Sequence, residues 1–136
     1  MTGYITAYVI ATLLFLAIDA IWLGIVAKNF YASQMGDLMA ENIRFGVAAA
    51  FYAVFTIGIV VFAVKPAIDA DNFRLALGYG ALFGFLAYGT YDFTNMATIR
   101  DWPVLMSVVD IVWGTTITAF TSVATYFALQ KLGISF

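Results

Sequence analysis

The chain contains no cysteine and no histidine among its 136 residues. Disulfides, thiolate catalysis, zinc sites, haem ligation by either residue and iron–sulfur clusters therefore lose their usual ligands. The chain also has no run of basic residues that could follow a phosphate backbone, which argues against a nucleic-acid partner. No cofactor-binding motif stands out among the remaining residues, so the sequence leaves any cofactor unknown.

Charge is equally scarce, since only 10% of the residues are charged and 64% are hydrophobic. A soluble domain has about 25% charged and about 45–50% apolar residues. This composition is typical of a protein dissolved in lipid, with membrane lipids as its first partners. The length is enough for one domain, and we expect a single transmembrane domain over residues 1–136.

Four apolar stretches are long enough to cross a bilayer, which takes about 20 residues. They cover residues 4–27, 43–64, 73–93 and 103–129. Their length and lack of alternation favour helices over strands. Short second and third loops make consecutive helices antiparallel neighbours. The predicted fold class is therefore all-α, an integral membrane four-helix bundle, and Lys65-Pro66 marks the predicted end of the second helix.

The first loop carries a pattern of its own. On a helical wheel its apolar side chains share one side, and they are Tyr31, Met35, Leu38 and Met39. This pattern predicts a short amphipathic helix at the membrane interface, with an ordinary loop as the alternative.

The basic side chains do not indicate a membrane orientation, because three of them flank each face of the predicted bundle. Those beside the first and third loops are Lys28, Arg44 and Arg100, and those on the opposite face are Lys65, Arg74 and Lys131. The membrane orientation is left open.

Three carboxylates, Asp19, Asp92 and Asp110, fall inside the predicted spans. Each costs at least about 2.5 kcal/mol near a helix centre, so we expect them to face the bundle interior. Counting about 1.5 Å per residue from the flanking polar residues puts all three in one half of the bilayer, with Asp92 at the end of its helix. Asp19 with Trp22, and Asp110 with Trp113, are spaced i, i+3 and share a helical face.

In a bundle these helical faces converge, and they predict an acidic, aromatic intramembrane site. Arg44 starts the second helix on the same face and is the predicted counter-ion, while Gly80 and Gly84 form a G-x-x-x-G motif that permits close helix contact. No catalytic residue and no metal site is assigned. The candidate ligand-binding residues are Asp19, Trp22, Arg44, Tyr88, Tyr91, Asp92, Asn95, Asp110 and Trp113.

Several elements of the chain resemble a bacterial family of small predicted membrane proteins known only as a domain of unknown function. The matching elements are Asp19-x-x-Trp22-Leu23-Gly24, Phe30-Tyr31, Phe51-Tyr52, Gly84-Phe85-x-x-Tyr88, Thr90-Tyr91-Asp92-x-Thr94-Asn95 and Asp110-x-x-Trp113-Gly114. The resemblance covers nearly the whole chain and implies a multi-pass protein of the bacterial inner (cytoplasmic) membrane. It implies no reaction and no ligand.

The residues leave several interpretations open. The Asp–Trp pairs either tie the helices together as structural hydrogen bonds or form a pocket for a small or amphipathic ligand. Other hypotheses are proton or cation movement through the acids and an intramembrane enzyme using Asp92 and Asp110 as acid and base. We expect no enzyme, because no nucleophile or metal-ligand set accompanies the carboxylates. A last alternative is an accessory or structural subunit that packs against a larger membrane complex or against itself.

Overall fold

The structure, a computed structural model, describes residues 1–136 and contains helices but no strand. Helix α1 covers Thr2–Ile21 and continues into a π-helical turn over Trp22–Val26. Helix α2 covers Lys28–Met35 and is followed by a 3₁₀ turn over Gly36–Leu38. The helical conformation predicted for the first loop is therefore present, although it begins three residues earlier than Tyr31.

Helix α3 covers Phe45–Ile59, a second π-helical turn covers Val60–Val64, and helix α4 covers Lys65–Asp69. The two long C-terminal helices are α5, over Phe73–Thr98, and α6, over Val104–Leu132. The short helix α2 corresponds to the helix predicted in the first loop, whereas the short helix α4 was not predicted.

Three helical stretches are long and apolar enough to cross a membrane, namely Thr2–Val26, Phe45–Asp69 and Val104–Leu132. Helix α5 has 26 residues, but four glycines and three tyrosines lower its apolar character. The predicted all-helical class is thus confirmed, with three rather than four helices that meet the requirements of a span by length and composition.

The second apolar helix does not end at Lys65-Pro66 as predicted. The chain stays helical to Asp69, with Pro66 in the first turn of α4 directly after the π-helical turn. A proline is tolerated in a first turn because the N–H that it lacks has no α-helical partner there. A salt bridge between Lys65 and Asp69, spaced i, i+4, adds to the helicity of this turn.

The third apolar helix also runs further than predicted, to Thr98 instead of residue 93. In this polar end the hydroxyl of Thr98 donates to the carbonyl of Thr94 four residues earlier, at 2.8 Å. Asp92 therefore lies six residues inside α5 and not at its end, which corrects its predicted position. At the other end, the Asn72 side chain accepts from the backbone N–H of Arg74 at 3.0 Å and caps the helix.

Helices α5 and α6 form the closest helix pair, and glycine permits their approach. A Cβ added at Gly84 would lie 2.4 Å from the carbonyl oxygen of Gly114, and one added at Gly80 would lie 2.6 Å from Oγ of Ser122. The G-x-x-x-G motif is thus covered within the chain. A Cβ at Gly114 would lie 2.1 Å from the ring of Tyr88, so this ring rests directly on the α6 backbone.

Helix α3 packs mainly against α1. Phe15 of α1 and Phe55 of α3 meet in the core with ring centroids 5.3 Å apart, and Thr12 donates to Thr56 at 2.9 Å. The π-helical turn that follows α3 packs against α5, whereas the backbone of α3 itself comes close to that of α5 at few positions. The bundle is therefore closed at the level of this turn and spread apart between α5 and the beginning of α3.

The first and last residues of the chain meet at the closed end of the bundle. The rings of Tyr4 and Phe136 pack edge to face at 4.8 Å. A Cβ added at Gly3 would lie 2.2 Å from the carbonyl oxygen of Ser135. Residues 3–4 and 135–136 therefore lie at the same end of the molecule.

Candidate functional site

Asp19 joins three helices at the spread end of the bundle. Its side chain is 4% exposed. One carboxylate oxygen accepts a hydrogen bond from the Tyr52 hydroxyl of α3, and the other accepts from Nε1 of Trp113 of α6 at 3.0 Å. Both oxygens are therefore satisfied, and two donors from different helices stabilise the carboxylate.

Trp22 and Asp110 are connected through a tyrosine of the first loop. The indole of Trp22 stacks on that of Trp113, and Nε1 of Trp22 donates to the Tyr31 hydroxyl at 3.3 Å. That hydroxyl donates in turn to Oδ1 of Asp110 at 2.9 Å. Burial, with the Asp110 carboxylate adding to it, raises the pKa of Tyr31 above its usual range, so the phenol remains a donor.

Asp92 differs from the other two acids because nothing binds it. The side chain is fully buried, and neither carboxylate oxygen has a hydrogen-bond partner. It lies near the carboxyl of Asp110 and the hydroxyl of Ser107, but the latter accepts from Nε1 of Trp102 at 2.7 Å.

The three acids lie at one level of the bundle. Asp19 is seven residues before the end of the stretch Thr2–Val26, Asp92 is six residues before Thr98, and Asp110 is six residues after Val104. At about 1.5 Å per residue, each lies roughly 9–11 Å from its helix end. Asp19, Asp92 and Asp110 are called the acidic cluster below.

A partly open cleft of about 410 Å³ reaches this cluster from the side where α3 and α5 spread apart. Its walls are mostly aromatic, with two carboxylates at the back. The lining residues are Asp19, Leu23, Phe51, Tyr52, Ala87, Tyr88, Tyr91, Asp110 and Trp113. Five of the nine predicted site residues line the cleft, namely Asp19, Tyr88, Tyr91, Asp110 and Trp113.

Two further predicted residues lie directly behind the lining. Trp22 stacks on Trp113, and Asp92 lies next to Asp110. Asn95 is half-buried one helical turn beyond Tyr91 and is not part of the wall. It lies close to the Tyr91 hydroxyl.

The structure does not bring Arg44 to the acidic cluster. Arg44 is exposed just before α3, and the one salt bridge in the chain joins Lys65 and Asp69. The counter-ion predicted at Arg44 is therefore wrong. The physical reason is distance along the helix, since Tyr52, which contacts Asp19, lies eight residues or about 12 Å beyond Arg44.

Sequence reasoning missed two tyrosines of the site. Tyr52 and Tyr31 each donate a hydrogen bond to a carboxylate, and neither is among the nine predicted site residues. Phe30-Tyr31 and Phe51-Tyr52 were visible as elements of the family resemblance. That signal identified the positions but not their partners.

The first loop covers the cluster from above. Tyr31 is half-buried over Asp110, whereas Leu38 and Met39 remain 48% and 42% exposed. Only the first part of the predicted apolar side therefore packs on the bundle. Whether the remaining part lies along a membrane surface stays a prediction.

Comparison with known proteins identifies the chain at the family level. No curated protein and no solved structure matches it. One family model, described as a predicted membrane protein, matches residues 4–127 and so covers nearly all four long helices. The chain is accordingly a member of the family of predicted membrane proteins designated DUF2177.

Proposed function

We propose that this protein crosses the bacterial inner membrane four times, as a four-helix bundle, and binds a small or amphipathic ligand in the cleft at the acidic cluster. Catalysis is not part of the proposal, because no nucleophile or metal-ligand set accompanies the acids. The single observation that carries the proposal is the cleft itself. It opens between α3 and α5 and ends on Asp19 and Asp110.

The contact between residues 3–4 and residues 135–136 supports four crossings. The three most apolar helices alone would put these residues on opposite sides of a membrane. The packing of Tyr4 against Phe136 supports an even number of crossings instead. Helix α5 is the remaining helix long enough for the fourth, since 26 residues span about 39 Å.

The shape of the cleft supports lateral entry from one leaflet. A volume of about 410 Å³ falls within the range of about 300–1,000 Å³ that is usual for ligand pockets. Tyr31 covers the cluster from the loop side, so the opening between Phe51 and Tyr91 faces sideways toward lipid. An amphipathic molecule can place its polar end at the acids and leave its apolar part between the helices.

The free-energy cost of burying three carboxyls favours a binding role over a purely structural one. An interhelical hydrogen bond in a membrane contributes about 0.6 kcal/mol on average. Each carboxyl costs about 2.5 kcal/mol or more at depth, so the bonds to Asp19 and Asp110 offset only part of that cost. Asp92 makes no bond at all. A bound molecule would supply the interactions that the bundle alone does not.

The proposal is tested by filling the cleft. Ala87 lines the cleft between Tyr88 and Phe51, and Ala87→Trp would occupy its volume. The control is Leu82→Trp on the exposed face of the same helix. Both variants and the wild type are purified in maltoside detergent, given a total polar-lipid extract, and analysed by native mass spectrometry.

We expect one bound adduct of defined mass in the wild type and in Leu82→Trp, and none in Ala87→Trp. Equal adducts in all three folded proteins, or no adduct in any of them, would show that the cleft is not a ligand site.

The G-x-x-x-G motif does not supply a contact surface for the accessory-subunit alternative. Gly80 and Gly84 are covered by α6 and do not form a free contact surface. A stoichiometric partner that co-purifies after mild extraction would nevertheless favour that alternative over a self-contained binder.

A second candidate function, proton or cation movement, is favoured by a row of buried hydroxyls on α6. Thr118, Thr121 and Thr125 are fully buried, and their hydroxyls have no hydrogen-bond partner. They begin eight residues, or about 12 Å, beyond Asp110 on α6 and extend toward Tyr126, which donates to Asp71 near the closed end at 3.1 Å. Dissipation of a pH gradient in vesicles by the wild type, and its loss in Asp110→Asn, would support this function over simple binding.

A further inference from the structure

The acidic cluster has no cation of its own. Among the six basic side chains, only Lys65 is partly covered, and it pairs with Asp69 at the far end of the bundle. Asp19 and Asp110 are held instead by neutral donors, the hydroxyls of Tyr52 and Tyr31 and the indole of Trp113. No basic side chain therefore compensates a carboxylate in the cleft, and in a poorly solvated place such a group attracts opposite charge strongly.

Asp110 presents its carboxyl group to the cleft. Tyr31 donates to Oδ1 of Asp110, and no tyrosine hydroxyl, indole or backbone N–H donates to Oδ2. Asp110 lines the cleft and is half-buried, while Asp92 behind it is buried with both oxygens unpartnered. A cation at Oδ2 would thus pair with a carboxyl that no basic side chain of the bundle compensates.

The walls select the kind of cation. Aromatic faces attract organic ammonium groups, and the rings of Tyr88, Tyr91 and Trp113 line the cleft around Asp110. A metal ion is a poor fit, because no three acidic side chains lie close enough together to hold one. A phosphate or carboxylate is a poor fit as well, because no basic side chain reaches the cleft.

On these grounds, and resting on the proposed binding function, we propose that the ligand is an organic ammonium carrying an apolar chain. Its charged nitrogen lies at Asp110 Oδ2 between the aromatic rings, and its chain leaves through the gap between α3 and α5. The ammonium is either that of a free amphipathic amine or that of a zwitterionic lipid headgroup. Both present the same group to Asp110.

Two probes of equal shape separate charge from hydrophobic size. Decyltrimethylammonium has a quaternary nitrogen, and 2,2-dimethyldodecane replaces that nitrogen with carbon. Binding to the delipidated protein in uncharged maltoside micelles is followed by quenching of tryptophan fluorescence, since Trp22 and Trp113 stack at the cleft. Asp110→Asn removes the charge at the site, and Asp37→Asn on the exposed first loop is the matched control.

We expect the ammonium to bind at least about tenfold more tightly than its carbon isostere, a difference of about 1.4 kcal/mol. We expect Asp110→Asn to abolish this difference and Asp37→Asn to retain it. Lysophosphatidylcholine is the third probe, and its binding would assign the ammonium to a lipid headgroup, whereas its failure beside a binding alkylammonium would assign it to a free amine.

Equal binding of the ammonium and the isostere, or a preference that survives Asp110→Asn, would overturn the ammonium assignment. The lipid-extract adduct blocked by Ala87→Trp would stand in that case, so the two proposals fail separately. A wild-type protein that binds neither probe would also refute the assignment.

Discussion

The indoles of Trp22 and Trp113 lie face to face, with ring centroids 4.2 Å apart and planes inclined by 8°. Each belongs to a different end of the chain, and each also donates a hydrogen bond into the site, Trp22 to Tyr31 and Trp113 to Asp19. The stack therefore holds α6 against the turn that follows α1, and it fixes the orientation of the two indole hydrogen bonds.

Trp22→Phe should remove this stack and lower the free energy of unfolding by about 0.5–1.5 kcal/mol. Two indoles this close couple their electronic transitions, so the circular dichroism of the wild type should contain a tryptophan exciton couplet that the variant lacks. Trp102→Phe is the control, because Trp102 packs on Tyr91 and on no other indole. A couplet that survives Trp22→Phe would contradict the stacked geometry.

The three acids should respond differently to neutralisation. Asp19→Asn presents an amide N–H₂ to one of two donors, Tyr52 or Trp113, and should lower stability by about 1–3 kcal/mol. Asp92→Asn removes no hydrogen bond from a hydroxyl or indole donor and should lower stability less than Asp19→Asn does.

Thermal unfolding in detergent, followed by helical circular dichroism, measures both effects, and exposed Asp37→Asn serves as the reference. If Asp92→Asn lowered stability as much as Asp19→Asn does, the difference in hydrogen bonding between the two sites would be refuted.

Glycine in α5 should matter only on the face toward α6. Gly84→Ala would bring a methyl group to 2.4 Å from the Gly114 carbonyl and should lower stability by about 1–3 kcal/mol. Gly78→Ala meets nothing within 4 Å and should raise helix stability by about 0.5–1 kcal/mol. Unfolding temperatures of this pair form an internal comparison, and similar values for both would mean that α5 and α6 are not in close contact.

The Tyr31 hydroxyl should hold the first loop on the bundle. Tyr31→Phe removes its bonds to Asp110 and Trp22 while it keeps the ring. Amide exchange within Lys28–Met35 should accelerate, whereas exchange in α6 should not change. Ser33→Ala, which removes only a local bond to the Phe30 carbonyl, is the control. An unchanged exchange rate in Tyr31→Phe would show that the covering helix is held by other contacts.

The number of crossings can be measured directly, because the chain has no cysteine to give background labelling. With four spans, cysteines at Asp37 and Arg100 should react with a membrane-impermeant maleimide from one side of a vesicle. Cysteines at Ala70 and Lys131 should react from the other side. Labelling of Ala70→Cys and Arg100→Cys from the same side would mean that α5 does not cross.

Much of the site was predictable from spacing alone. Asp19 with Trp22, and Asp110 with Trp113, share helical faces, and burial of three acids in lipid forces those faces inward. The structure brings these residues together, with Trp113 bonded to Asp19. Counting helical rise predicted that the acids share one half of the bilayer, but it put Asp92 at the end of its helix because the continuation to Thr98 was not expected.

The partners of the acids were not predictable. The bonds from Tyr52 to Asp19 and from Tyr31 to Asp110 join positions 33 and 79 residues apart, and no local pattern encodes them. Arg44 was chosen by charge, yet helix geometry leaves it exposed and puts a phenol beside Asp19. The helix through Pro66 was missed because a π-helical turn has no recognisable sequence signal and changes where a proline is tolerated.

The π-helical turn over Trp22–Val26 gives the chain a place at which its length can change. Such a turn accommodates one residue more than an α-helical turn. Removal of one residue between Leu23 and Val26 would let this stretch wind as an α-helix, and the residues after it would keep nearly the same orientation, so that Tyr31 would still face Asp110. Removal of one residue between Phe15 and Asp19, in the regular winding of α1, would instead rotate the two parts of the helix by about 100° relative to each other. A single-codon deletion should therefore be tolerated better within the turn than within α1.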